Sequence, residues 1–353
     1  MPTDRPSPVA DGPSVGAAAV GARNSASAVH RPPAADIGLL AIAVAAVGTS
    51  GPLIAATAAP ALAIAFWRNM FGAGALGPVA RWRHRAELRA LRRADWLLAM
   101  AGGVALAAHF ATWTPSLSMT SVASATAFVA AQPVFAALIA LARGQRVSRR
   151  AWAGILLAVL GVAALSASDL HVSDRAFAGD LLALLAGALA AVYMTIGAKA
   201  RQRISLAPYA VICYSTAALI LAGLAFCLNE RLTGLPGNAW VKIIALTIGA
   251  QLLGHTVFNR VLKTTSPTVV SVTILLEVPS AALIAAVWLG QIPSWSAIPG
   301  AAMILAGLVV VATSAGGGGT GSVEVVAEAG SESRIRSGPD HLGVGETAQV
   351  TGQ

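Results

Sequence analysis

The stretches Gln132-Pro133-Val134-Phe135-Ala136-Ala137-Leu138-Ile139-Ala140 and Glu277-Val278-Pro279-Ser280-Ala281-Ala282-Leu283-Ile284-Ala285 end on the same five residues, at an offset of 145. At that offset Ala45-Ala46-Val47 also meets Ala190-Ala191-Val192, and Thr120-Ser121 meets Thr265-Ser266. At 146, His109 meets His255, Gly144-Gln145 meets Gly290-Gln291, and Gly154 and Gly161 meet Gly300 and Gly307. One match means little in a chain rich in Ala and Leu. Matches strung along most of both halves point to an internal duplication.

The repeat is embedded in apolar sequence. Of 353 residues, 56% are hydrophobic and 11% charged, and the mean hydropathy is +0.71. A chain this apolar cannot cover a soluble globule with polar surface. The net charge of +9 therefore does not argue for a nucleic-acid partner. Ten windows nearly free of charge run at approximately 38–58, 60–80, 96–116, 122–142, 151–168, 179–198, 207–227, 240–261, 268–289 and 296–313. Each has about the length a helix needs to cross ~30 Å of hydrocarbon. None shows the period-2 alternation of a barrel strand. The expected fold is an all-α membrane protein with ten transmembrane helices. Each repeat holds five, an odd number, so the second copy is inverted relative to the first. Inverted repeats of this kind characterise secondary transporters.

The charges orient the bundle. Arg81, Arg83, Arg85, Arg89, Arg92 and Arg93 follow the second window, and Arg143, Arg146, Arg149 and Arg150 follow the fourth. Lys199, Arg201 and Arg203 follow the sixth, and Arg260 and Lys263 the eighth, whereas the opposite loops hold only Arg175, Arg231 and Lys242. Positive loops stay inside, so both termini are expected in the cytoplasm and the chain in the cytoplasmic membrane. The expected organisation is a disordered tail over 1–36, a first repeat over 37–168, a second over 179–313, and a disordered tail over 315–353. Cys213 and Cys227 are 14 residues apart in one window, about 21 Å by helical rise, too far to bridge. No cofactor and no metal are expected, because neither His109 nor His255 has a carboxylate or Cys at ligand spacing.

Phe66-Trp67-Arg68-Asn69, the run from His109 through Thr120-Ser121-Val122-Ala123-Ser124 to Gln132-Pro133, Gly254-His255-Thr256-Val257-Phe258-Asn259, Val269-Val270-Ser271-Val272 and Leu276-Glu277-Val278-Pro279 together resemble the EamA-type transporters of the drug/metabolite transporter superfamily. The resemblance covers about 37–313 and implies a ten-helix carrier of small metabolites with a cavity between the repeats. The sequence departs from that pattern twice. Gly-Gln stands at 144–145 and 290–291 where the family usually has Gly-Glu, which removes loop carboxylates as coupling sites. Val278 separates Glu277 from Pro279, which leaves room for the local kink to shift by a residue.

Arg68 and Glu277 are the charges placed well inside windows, and intramembrane charges mark functional sites by default. Three readings stand: Arg68 holds an anionic substrate group while Glu277 carries a proton or senses a cation; the two neutralise each other structurally; or Arg68 snorkels and Glu277 is protonated. His109, His255, Asn259, Tyr193 and Trp113 are candidates to line the same substrate or proton site, or to pack. Gly48, Gly51 and Pro52 interrupt the first window, and Pro133 and Pro279 the fourth and ninth, as hinges or packing kinks. The glycine pairs on the fifth and tenth windows suit close helix packing or a homodimer. The composition fits a transporter of a small solute, without enzymatic activity. The alternatives are a non-transporting membrane scaffold and a membrane-embedded enzyme, for which the windows offer too few catalytic groups.

Overall fold

The computed structural model describes residues 33–120, 122–166, 173–289 and 297–314. The segments expected as tails fall outside these residues over 1–32 and 315–353, as does the 290–296 loop. In chain order the first half forms α1 (Ala34–Gly48), α2 (Ser50–Ala55), α3 (Ala61–Arg83), α4 (Arg85–Ala90), α5 (Arg93–Ser116), α6 (Val122–Val129), α7 (Gln132–Ala142) and α8 (Arg149–Ser166). The second half forms α9 (Asp174–Arg201), α10 (Leu206–Cys227), α11 (Gly237–Leu246), a π-helical stretch (Thr247–His255), α12 (Thr256–Val261), α13 (Pro267–Ile274), α14 (Glu277–Leu289) and α15 (Ala297–Ser314). Every regular element among the described residues is helical. Ala34–Ala55, Arg93–Ser116, Asp174–Arg201, Leu206–Cys227 and Gly237–Val261 are long and apolar enough to cross a membrane. The apolar helices Gln132–Ala142 and Pro267–Ala281 are shorter. Helix α3 has the length but carries Arg68, Asn69, Arg81 and Arg83.

The helix breaks have local causes. Thr49 separates α1 from α2, and Pro52 offers no N–H to the Gly48 carbonyl. The Thr49 hydroxyl instead closes the turn on the Ala46 carbonyl at 2.7 Å. Ala130-Ala131 separates α6 from α7, and Leu275-Leu276 separates α13 from α14, again at an offset of 145. The later proline of the second copy does not move the break. Its missing N–H faces the Leu275 carbonyl, which already accepts from Val278 at 3.3 Å.

Two pairs of equivalent helices pack on each other, and both run antiparallel. On α8 and α15, a Cβ added to Gly154 would lie 2.8 Å from the Gly307 carbonyl oxygen, and one on Gly161 2.7 Å from that of Gly300. Numbers rise on one helix as they fall on the other. Helices α3 and α10 also pack together, with their ends clasped reciprocally. Glu230, beyond the end of α10, accepts the Leu62 N–H near the start of α3 at 3.1 Å. Glu87, beyond the end of α3, accepts the Ser205 N–H before the start of α10 at 2.6 Å. Helix starts leave such N–H groups without intrahelical partners, and a carboxylate there also meets the positive end of the helix dipole.

Both halves share one hydrophobic core, in which α5 packs on α9 and α10 while α1 packs on the π-helical stretch. A smaller apolar cluster joins α7, α8, α13 and α15 through residues such as Ala137, Ile155, Val272 and Ile304. The repeats are interleaved layers of one body.

Glu87 carries a pH consequence. Partial burial acts to raise its carboxyl, but hydrogen bonds from the Ser205 backbone and side chain and from the His84 ring hold it below the usual carboxylate range. A depressed carboxylate contributes stability above its unfolded pKa and loses it as pH falls through the folded value. Thermal unfolding of Glu87→Gln is expected to show about 0.5–1 kcal/mol lower stability at neutral pH. The difference from the parent should hold down to about pH 4.5, the ordinary carboxyl value, and shrink as pH falls below it, and a difference independent of pH would contradict the clasp.

Candidate functional site

Arg68 on α3 is completely buried. Its Nε donates to Gln251 Oε1 at 2.9 Å, Gln251 Nε2 donates to Asn69 Oδ1 at 3.1 Å, and Asn69 Nδ2 donates to the Ala65 carbonyl at 2.8 Å. This relay leaves no ambiguity in either amide, since every nitrogen in it donates. The guanidinium carbon stands 4.2 Å from the Phe110 ring centroid, a cation–π contact from α5. Nη1 and Nη2 have no hydrogen-bond partner among the described residues. Leaving a buried donor unpaired costs about 1–3 kcal/mol, and more when it is charged, and these two nitrogens carry four N–H groups between them.

The surroundings of Arg68 come from both halves. The His109 and His255 ring centroids are 6.2 Å apart, with Phe110 5.4 Å and Tyr193 6.0 Å from His255. His109 Nδ1 meets the Ala186 carbonyl at 2.9 Å; a carbonyl only accepts, so the proton sits on that nitrogen. His255 Nδ1 is buried without a hydrogen-bond partner among the described residues. Asn259 donates to the Tyr193 hydroxyl. Arg68, His109, His255, Tyr193 and Asn259 thus form one connected cluster around Phe110.

Glu277 opens α14 and is buried at 8% exposure. No ion pair joins it to Arg68 among the described residues. The mutual-neutralisation reading therefore lacks its contact. Gln132, which occupies the position of Glu277 in the first repeat, donates to Ser271 Oγ at 2.9 Å and ties α7 to α13. Trp113 is buried in the shared core, one turn beyond His109. No ring contact among the described residues brings it to the Arg68 cluster. At Gly48 an added Cβ would stand 2.9 Å from Ser280 Cβ, beside Pro279, and at Gly51 3.1 Å from Val122. Breaks and close crossings thus coincide.

Gln251, Asn69, Phe110 and Tyr214 were not among the candidates. The π-helical stretch explains two of them. It holds Gln251 and His255, and its wide turn lets Thr256 Oγ1 reach the Gln251 carbonyl at 3.0 Å while Tyr214 bonds Thr256 at 2.9 Å. A wide turn takes in an extra residue. The helix Gly237–Val261, which contains this turn, has 25 residues where Arg93–Ser116 has 24. Gln251 and Asn69 were visible as amides inside apolar windows.

Membrane-length apolar helices wrapped around a buried polar cluster define a multi-pass helical membrane protein. A model of the EamA-like transporter family matches residues 36–167 and again 177–313. The chain belongs to that family, with two EamA domains, consistent with the drug/metabolite transporter superfamily. No curated protein matches the chain. A solved structure described only as "Crystal structure of protein" is similar at 20% identity and a TM-score of 0.66, covering 80% of this chain and 98% of its own. That likeness concerns the fold alone.

Proposed function

We propose that the chain crosses the cytoplasmic membrane ten times, as two inverted five-helix repeats, and carries a small anionic solute by alternating access. The observation that carries this reading is the pair of Arg68 nitrogens without a hydrogen-bond partner among the described residues, in a buried cluster built from both halves. A guanidinium fork fits a carboxylate in a planar, two-point contact. The antiparallel α3/α10 and α8/α15 pairs support inversion, because a two-fold axis in the membrane plane reverses equivalent helices. Both termini lie in the cytoplasm on this reading. The breaks at Gly48-Thr49-Ser50-Gly51-Pro52, before Pro133 and before Pro279 serve as hinges. His109, His255, Tyr193 and Asn259 line the substrate site, and Trp113 supports its wall.

Glu277 is the proton carrier in this scheme: with Arg68 free to bind the substrate anion, its carboxyl takes up and releases a proton as the site changes side. Purified protein in vesicles, challenged with a panel of carboxylate, cationic and neutral metabolites, is expected to show saturable flux of a carboxylate that depends on pH. Glu277→Gln should retain substrate binding and lose that pH dependence. Unchanged pH dependence removes the proton role, and flux of no solute leaves the scaffold reading standing.

A further inference from the structure

A second site lies away from the Arg68 cluster. A cavity of about 290 Å³ opens between α7, α9 and the start of α13, at the ends that lead into the Arg/Lys-rich loops. Arg143 and Lys199 stand on it, Gln145, Gln202 and Thr195 add hydrogen-bonding groups, and no acidic residue lines it among the described residues. Both cations are exposed and neither is in an ion pair among the described residues. The remaining walls are apolar, with Ile139 on α7 and Pro267 at the head of α13. Seven and fourteen residues before Lys199, and so on the same face of α9, Val192 is 38% and Leu185 49% exposed, which leaves an apolar strip running from the cavity along that helix.

We infer that this cavity binds the phosphate headgroup of an anionic phospholipid, with its acyl chains lying along α9. Charge complementarity selects the headgroup: two cations with no compensating carboxylate suit a phosphodiester, and basic pockets between helices on the cytoplasmic side recognise anionic lipid in this way. The apolar walls and the exposed Val192 and Leu185 select a lipid over a free anion, because a soluble phosphate leaves them unused. The site rests on the membrane orientation proposed above but not on the transport activity. Occupancy joins α7 to α9, one helix from each half, so the lipid fastens the repeats together at this edge.

The test uses the full chain in a neutral detergent and follows its melting temperature with added phosphatidylglycerol, phosphatidylcholine, glycerol phosphate or inorganic phosphate. Phosphatidylglycerol is expected to raise the melting temperature by several degrees, and phosphatidylcholine and the two soluble phosphates by much less. Arg143→Ala with Lys199→Ala should remove most of that shift. Arg149→Ala with Arg150→Ala, which deletes the same charge outside the cavity, should keep it. Equal loss in both double variants would mean a diffuse surface effect and overturn the site. Equal protection by inorganic phosphate would overturn the lipid assignment. Each variant's folding is checked without lipid by its own melting curve, so the comparison stands whether or not transport is observed.

Discussion

Replacing Arg68 with Met is expected to leave the protein folded while lowering carboxylate flux about 10–100-fold, in line with the roughly 1.5–3 kcal/mol of a charged hydrogen-bonded contact. The folding half follows from what surrounds the guanidinium. Arg68 is fully buried, with one nitrogen bonded to Gln251 and two without a hydrogen-bond partner among the described residues. Taking that charge out of water is expensive, and an apolar residue of similar length removes the expense. Against this, Gln251 Oε1 loses a donor and Phe110 a cation, together about 1–2 kcal/mol. Stability should therefore change little in either direction. A residue kept for structure behaves oppositely: its loss unfolds the protein, as removal of one partner of a buried ion pair does. Melting curves and vesicle uptake on the same preparation separate the cases. Full transport by Arg68→Met would sink the assignment of Arg68 to the substrate, and its collapse in detergent would make Arg68 structural.

The second large effect is Gly307→Ala. The new methyl would stand 2.5 Å from the Gly154 carbonyl oxygen and 2.7 Å from the Ala158 backbone nitrogen and Cβ. Two of those three obstacles are backbone atoms inside a regular helix, so no rotamer change relieves them. Helices α8 and α15 must separate along their crossing, which loosens Gly161 against Gly300 as well. Overpacking a tight core costs about 1–3 kcal/mol and occasionally more. Here the cost is expected at or above about 3 kcal/mol, enough to deplete folded protein. Gly74→Ala is the control, since nothing lies within 4 Å of its added Cβ. It should be neutral, or stabilising by about 0.5–1 kcal/mol through helix propensity. Size-exclusion profiles of the two variants in detergent decide the matter, and equal yields would contradict the crossing.

The parts of the fold that can be read from sequence are those carried by local pattern. Apolar runs announce helices, and Pro133 and Pro279 announce interruptions that fall at equivalent places even though the prolines themselves are offset by one. Paired glycines announce a close crossing, though not with which partner; α8 and α15 use them on each other. The site was legible in its charged and aromatic members, because Arg68, Glu277 and the two histidines stand out against an apolar background. Its organising contacts were not. Phe110 looks like any core aromatic until a guanidinium lies over its face. Gln251 gains its role from a π turn, whose geometry depends on tertiary partners such as Tyr214 and Thr256 rather than on propensity. The reciprocal clasps by Glu87 and Glu230 join segments far apart in the chain, which no periodicity marks.

Those clasps bear on how the protein is made. A ribosome completes α3 long before it reaches Glu230, which is 168 residues beyond the Leu62 amide it serves. Glu87, in contrast, is already in place when Ser205 emerges. The nascent first half therefore waits with one helix start uncapped, while the second half finds its cap ready on arrival. Expressed alone, the first half lacks an acceptor only the second can provide, and the second lacks the Glu87 of the first. Neither half is a finished module, and a chain stopped between them is an incomplete membrane protein for the cell's quality control to remove.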